Sequence, residues 1–182
     1  MDFEIISLNE KIKETIDDEA EFSKLKSALC NFKCSKNLDE QDFLHNKAID
    51  FELHNIARTY LLISKQEIIG YFSLAIKSIS LEDCTKSKRK DITSGRSNEN
   101  HYPAFLIGHI AKDERITESL GTTLLDCAIT FIYEAQVLVG GRLAYLDCKD
   151  EQKLKNLYEG YGFKYFNTNP TTKLLQYYIK LD

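Results

Sequence analysis

The pattern of apolar and polar positions along this 182-residue chain changes period several times. Residues 3–8 alternate weakly and predict a first strand. Phe22, Leu25 and Leu29 share one face of 19–29, and Phe43, Ala48, Phe51 and Ile56 one face of 39–56, so two helices follow. The segment 31–37 breaks the pattern and reads as a loop. Tyr60-Leu61-Leu62-Ile63 is a continuous apolar run and Tyr71–Lys77 alternates, which predicts strands over 59–64 and 68–81. Lys65-Gln66 is so short a connection that the two strands must be antiparallel. The polar stretch 82–101 predicts a long flexible loop. Pro103 then opens a strand over 104–111, and a polar elbow, 112–119, leads into a long helix. There Leu120, Leu124, Cys127, Phe131, Ala135 and Leu138 recur at three and four, and Gly140-Gly141 ends the run. A strand over 142–148, a helix over 151–159 that Asp150 can cap, and strands over 163–166 and 174–181 close the chain. The order β-α-α-β-β-β-α-β-α-β-β predicts an α/β (α+β) fold. It is one domain over 1–182, with a mixed, mostly antiparallel sheet flanked by helices.

Composition narrows the class. Apolar residues are 43% with ten Phe and ten Tyr, and charged residues are 29% with a net of −4, which is a globular balance. No run of eighteen apolar residues occurs, so no membrane association is expected. Met1-Asp2-Phe3-Glu4 lacks the basic-then-apolar layout of a signal peptide, which points to the cytoplasm. Five cysteines (Cys30, Cys34, Cys84, Cys127 and Cys148) are scattered without a zinc spacing, so reduced structural thiols are expected and no metal. Charge is uneven. Residues 1–57 hold 13 acidic side chains and 7 lysines, whereas 84–96 hold Lys86, Lys88, Arg89, Lys90 and Arg96 against Asp91 alone. That basic stretch reads first as a solvated loop and second as a phosphate or nucleic-acid contact.

Strand, polar elbow and helix make a phosphate-binding arrangement, because the first helical turn offers unpaired N–H groups and the positive end of its dipole. Here the elbow is Ile116-Thr117-Glu118-Ser119-Leu120-Gly121, followed by Thr122 and Thr123. Alone the signal is weak, since many helices begin with Ser or Thr. Its surroundings strengthen it. A strand ending Asp147-Cys148-Lys149-Asp150 precedes a helix with Leu157-Tyr158-Glu159-Gly160-Tyr161-Gly162-Phe163. The series resembles the GNAT N-acyltransferase superfamily. Upstream, Phe32-x-Cys34, Leu38, Phe43-Leu44 and Ala57-Arg58-Thr59-Tyr60 look like its toxin-like branch, and the likeness spans about 3–180.

The resemblance implies acetyl transfer from acetyl-CoA to a primary amine by direct attack. It assigns acyl-CoA contacts to Ile110, Ala111, Lys112, Thr117, Glu118, Ser119, Leu120, Gly121, Thr122 and Asn156, with Tyr158 as the general acid that protonates the departing thiolate. The sequence departs from the family at Ser119, where a Gly is usual, and at Ile116, where Gln or Arg is usual. His109 reads as a packing or hydrogen-bonding residue before it reads as a base. The acceptor is a small-molecule or protein amine. The toxin-like branch also brings aminoacyl-tRNA, which the net charge disfavours, and an antitoxin partner; a homodimer is a further expectation. A non-catalytic acyl-CoA-binding module is the remaining reading, motivated by the altered elbow.

Overall fold

Lys65 and Gln66 both take positive φ, 50° and 65°, the backbone that a two-residue type I′ connection requires. They join β2 (Arg58–Ser64) to β3 (Glu67–Ser80), with Ser64 opposite Glu67. The computed structural model describes residues 2–96 and 98–181. With β1 (Glu4–Ser7), β4 (His101–Lys112), β5 (Leu143–Cys148), β6 (Lys164–Thr168) and β7 (Leu175–Lys180), the strands form one sheet in the order β1-β2-β3-β4-β5-β7-β6. β4 and β5 run parallel, with Phe105 opposite Ala144 and Ile107 opposite Leu146. A parallel neighbour needs a crossover, and the long helix between them supplies it. The molecule is the mixed α/β domain that the element order predicts.

The helices differ from expectation in four places. A short helix, α1 (Leu8–Thr15), follows β1 directly; Ser7 caps it and only Leu8 and Ile12 are buried, too few apolar positions to show a period. α2 (Glu19–Cys30) is capped by Asp18, which accepts from the N–H groups of Ala20 and Glu21. The expected helix over 39–56 is three pieces: α3 (Leu38–Asp42), a π turn over Phe43–Lys47, and α4 (Ala48–Leu53). In the π turn the Ala48 N–H reaches back five residues to the Phe43 carbonyl, which buries Phe43 and Leu44 together.

The stretch 82–101, expected as a flexible loop, carries α5 (Lys86–Ile92), capped by Thr85 and anchored by fully buried Ile92; Ser97 lies outside the described residues. α6 spans Gly121–Val139 and α7 spans Gln152–Tyr161. Asp150 does not cap α7. Glu151 holds the N-cap position without a side-chain bond, and Asp150 pairs with Lys155 at 2.5 Å.

Packing divides the chain into two compact units, Met1–Ala75 with Gly108–Ala128, and Ile76–Ile107 with Ile129–Asp182. The first is centred on Leu8, Ile12, Leu29, Phe32, Phe43, Leu44, Leu61, Tyr71 and Ala111. The second is centred on Ile79, Leu81, Ile92, Leu143, Tyr145, Phe166 and Tyr178. α6 is the described helix long and apolar enough to cross a membrane by composition. Its Leu124, Leu125, Ala128, Ile129 and Ile132 are buried in the protein, whereas Cys127, Phe131 and Ala135 of the expected stripe are half-buried and Leu138 is exposed, so the packed face is turned from the expected one and fades towards the C-terminal end. In the first unit Gly70 makes room for it: a Cβ there would lie 3.1 Å from the Ala111 carbonyl and 3.2 Å from Leu124.

Candidate functional site

The elbow between β4 and α6 is held from beneath by one carboxylate. Asp113 is 1% exposed and accepts four hydrogen bonds, from the N–H of Lys33 (2.9 Å), the N–H of Arg115 (2.9 Å), and Arg115 Nε and Nη2 (2.8 Å each). Burial pushes its carboxyl up, but the Arg115 side chain and the two N–H groups outweigh burial and hold it below the usual range. Glu114 fastens the next residue, its N–H donating to the Lys33 carbonyl while its carboxylate accepts from the Ser35 N–H and hydroxyl. The elbow is thus tied to the loop after α2, a link that spans about eighty positions of sequence.

Above this base the helix end is open. The Leu120 carbonyl accepts the Leu124 N–H at 2.8 Å, so the N–H groups of Gly121, Thr122 and Thr123 precede the first intrahelical donor. Leu120, at the N-cap position, has no side-chain acceptor to offer them, unlike Ser7, Asp18 and Thr85 on other helices. Thr117, Glu118, Ser119 and Thr122 are exposed, while Ile110, Lys112 and Gly121 are half-buried. Ala111 and Leu120 are buried and can present only backbone. Lys112 Nζ donates to the Ile116 carbonyl, which closes the elbow on itself. The Glu118 carboxyl is held below its usual range by its own backbone N–H and by the Thr117 hydroxyl, so one anion already sits beside the helix end. A cavity of about 600 Å³ borders the elbow at Ile116 and Glu118 and is also lined by Ser64, Lys65 and Glu67.

In the second unit, Tyr158 is buried on α7, with ring centroids 6.1 Å from Phe163 and 6.2 Å from Tyr177. The helix ends in a Schellman motif. Gly162, at φ 110°, donates its N–H to the Glu159 carbonyl, and the Phe163 N–H reaches the Tyr158 carbonyl. Tyr158 and Phe163 are therefore the apolar pair that accompanies such a stop. The Tyr-x-x-x-Gly-Phe spacing is required by helix termination whether or not the tyrosine moves a proton. Asn156 is exposed and accepts from Gln152 Nε2 on its own helix.

Two polar clusters were not visible in the sequence. Glu40, Tyr71 and His109 meet in the first unit; Glu40 Oε2 lies 3.0 Å from His109 Nδ1 and 3.0 Å from the Tyr71 hydroxyl. In the second, Asp147 accepts from Lys77 Nζ (2.8 Å) and the Tyr145 hydroxyl (2.7 Å). Both join residues roughly seventy positions apart or lying on separate strands, and no local pattern announces such a pairing. Four of the five thiols are raised rather than activated. Burial pushes Cys148 up to about 11, helped by Asp147, and raises Cys34, Cys84 and Cys127. Among the described residues no three His, Cys, Asp or Glu side chains are grouped to hold a metal.

No protein-family model matches the chain, and no curated protein sequence matches it. Solved structures do. AtaT complexed with acetyl-methionyl-tRNAfMet superposes with a TM-score of 0.70 at 19% identity, covering 98% of this chain and 95% of AtaT. A Tyr→Phe mutant of the toxin AtaT, bound to the C-terminus of the antitoxin AtaR and acetyl-CoA, gives 0.63 at 17% identity, covering 84% of each chain. A Tyr→Phe mutant of KacT gives 0.67 at 19%, covering 84% of this chain and 86% of KacT. At such identities the likeness establishes the fold: the chain has the GNAT fold, in the form seen in these toxins.

Proposed function

We propose that the chain is an acetyl-CoA-dependent N-acetyltransferase whose acceptor is the amino group of an aminoacyl-tRNA, and that an antitoxin protein is its partner. The observation that carries the reading is the open N-terminus of α6 in a chain that matches a tRNA-bound AtaT along nearly its whole length. The N–H groups of Gly121, Thr122 and Thr123 would hold the pyrophosphate, with Ser119 beside them. Backbone of Ile110–Lys112 would pair with the pantetheine as an added strand. Tyr158 would give its phenolic proton to the departing thiolate. Attack by the amine would be direct, in keeping with Cys127 and Cys148, whose thiols burial raises and so disfavours as nucleophiles. The neighbours favour an aminoacyl-tRNA over a free small amine, since AtaT was captured with acetyl-methionyl-tRNAfMet and with the antitoxin AtaR.

The basic stretch contributes less charge to such a partner than its count suggests. Lys88 donates to the Phe166 carbonyl, and Arg89 to the carbonyls of Cys84 and Glu82 and to Asn100. Lys86, Lys90 and Arg96 are exposed, and they are the side chains left to meet phosphate. The test is transfer of radiolabelled acetyl from acetyl-CoA to a panel of aminoacyl-tRNAs, beside a panel of free amines. Labelled aminoacyl-tRNA is the expected product. Three phosphate contacts predict an affinity that falls with log salt at a slope of about −2 to −3, reduced when all three residues become Glu. Labelling of free amines alone would overturn the tRNA assignment, and no acetyl-CoA binding by calorimetry would overturn the enzyme.

A further inference from the structure

We infer that His109 is the base that receives the acceptor's proton and that Glu40 positions it; the inference rests on the acyl-transfer reading above. β4 carries His109 immediately before Ile110–Lys112, the backbone assigned to acyl-CoA. His109 is held by three contacts, two of them to the ring. Its plane stacks on Phe43, with centroids 3.7 Å apart and 11° between planes, a placement made by the π turn that follows α3. Its backbone N–H donates to the buried Ser73 hydroxyl at 3.0 Å. Its Nδ1 lies 3.0 Å from Glu40 Oε2.

The carboxylate is itself oriented. The Tyr71 hydroxyl donates to the Glu40 carbonyl at 2.7 Å and lies 3.0 Å from Oε2. Burial first, and then Glu40, keep that phenol protonated well above its ordinary range. Facing the pair are Tyr71 from β3 and Cys34 from the loop after α2, whose thiol is likewise raised by burial with Glu40 adding to it. An acceptor at Nδ1 selects the tautomer with its proton there, which leaves the lone pair on Nε2. The pair keeps an edge to solvent, with side chains 29% and 17% exposed.

The proton balance closes without a further reactant. The acceptor enters as the free amine and its lone pair forms the new C–N bond as the C–S bond breaks. One amine proton passes to His109 Nε2, and the leaving sulfur takes the Tyr158 proton. Imidazolium and phenolate then return to their starting states through solvent.

His109→Ala tests the assignment in the full chain with acetyl-CoA and an aminoacyl-tRNA. Turnover should fall by about 10²–10⁴, the usual range for a general base, with acetyl-CoA affinity within about twofold by calorimetry. Added imidazole should restore part of the rate in a saturable way, which loss of packing alone would not allow. Glu40→Gln, which removes the negative charge beside Nδ1 and so lowers the basicity of Nε2, should slow the wild type but have no further effect in the His109→Ala background. His109→Gln, which fills the site without a lone pair of the right basicity, should be slow and unresponsive to imidazole. Full activity of His109→Gln, or an inactive His109→Ala that imidazole does not rescue, overturns the proposal. Failure of the wild type to transfer acetyl at all would instead sink the acyl-transfer reading, a result distinct from either.

Discussion

Replacing Asp113 by Asn probes the peg that holds the elbow. The carboxylate divides its four bonds evenly: Oδ1 takes the Arg115 N–H and Nε, and Oδ2 takes the Lys33 N–H and Arg115 Nη2. Asparagine keeps the shape but puts an NH₂ against two of those donors and removes the charge. Arg115 is 47% exposed and can turn to water, so its share of the loss is discounted. The Lys33 N–H, held in a part-buried bond, has no such recourse. One stranded donor and a weakened charged pair come to about 3 kcal/mol. For a chain of this length that is a fall in Tm of about 6–12 °C, read by calorimetry. Urea unfolding should show a lower midpoint at unchanged m, because the surface exposed is the same.

The pH dependence supplies a second check. The Asp113 carboxyl is lowered in the folded state, so its stabilisation is fully present above the unfolded value of about 3.9 and disappears as pH falls through the folded value. The gap between wild type and variant should therefore close below about pH 4. A variant within about 1 kcal/mol of wild type at neutral pH would refute the peg. A gap that persists in acid would refute its charge as the source.

Other expectations follow from single contacts. Tyr158→Phe keeps the buried ring, so stability should move by about 1 kcal/mol or less while acetyl transfer falls by about 10²–10⁴; full activity would exclude the phenol as proton donor. Gly121→Asp should weaken acetyl-CoA binding by calorimetry with the fold intact, because a carboxylate would stand at the anion end of α6. Gly162→Ala should destabilise by about 1–2 kcal/mol through its φ of 110° alone, since the new Cβ would meet Ile179 only at 3.6 Å; an unchanged Tm would show that the α7 stop is not strained. In the native protein at pH 7.5 Cys148 should resist iodoacetamide while exposed Cys30 reacts, as peptide mass mapping would report.

The sheet was legible because its strands carry their own signals. The hairpin needed only the two-residue turn, and the crossover only the long apolar stripe of α6 between two buried strands. The Schellman stop is equally local, since Gly162 and the Tyr158–Phe163 pair lie within six residues. α1 and α5 were missed because two or fewer buried positions per helix leave no period to read, and their caps, Ser7 and Thr85, look like any loop hydroxyl. The π turn escaped for a different reason: one added residue shifts the helical phase and leaves composition untouched.

By itself, then, the sequence determined the order of the strands, the elbow ahead of α6 and the candidate tyrosine, all of which depend on neighbours within a few residues. Only the tertiary structure decided what those elements hold. Asp113 reaches Lys33 across 80 positions, Glu40 reaches His109 across 69, and Lys77 reaches Asp147 across 70. A charge or a hydrogen bond acts over a few ångströms of space, and separation along the chain does not encode that distance until the sheet has brought the strands together.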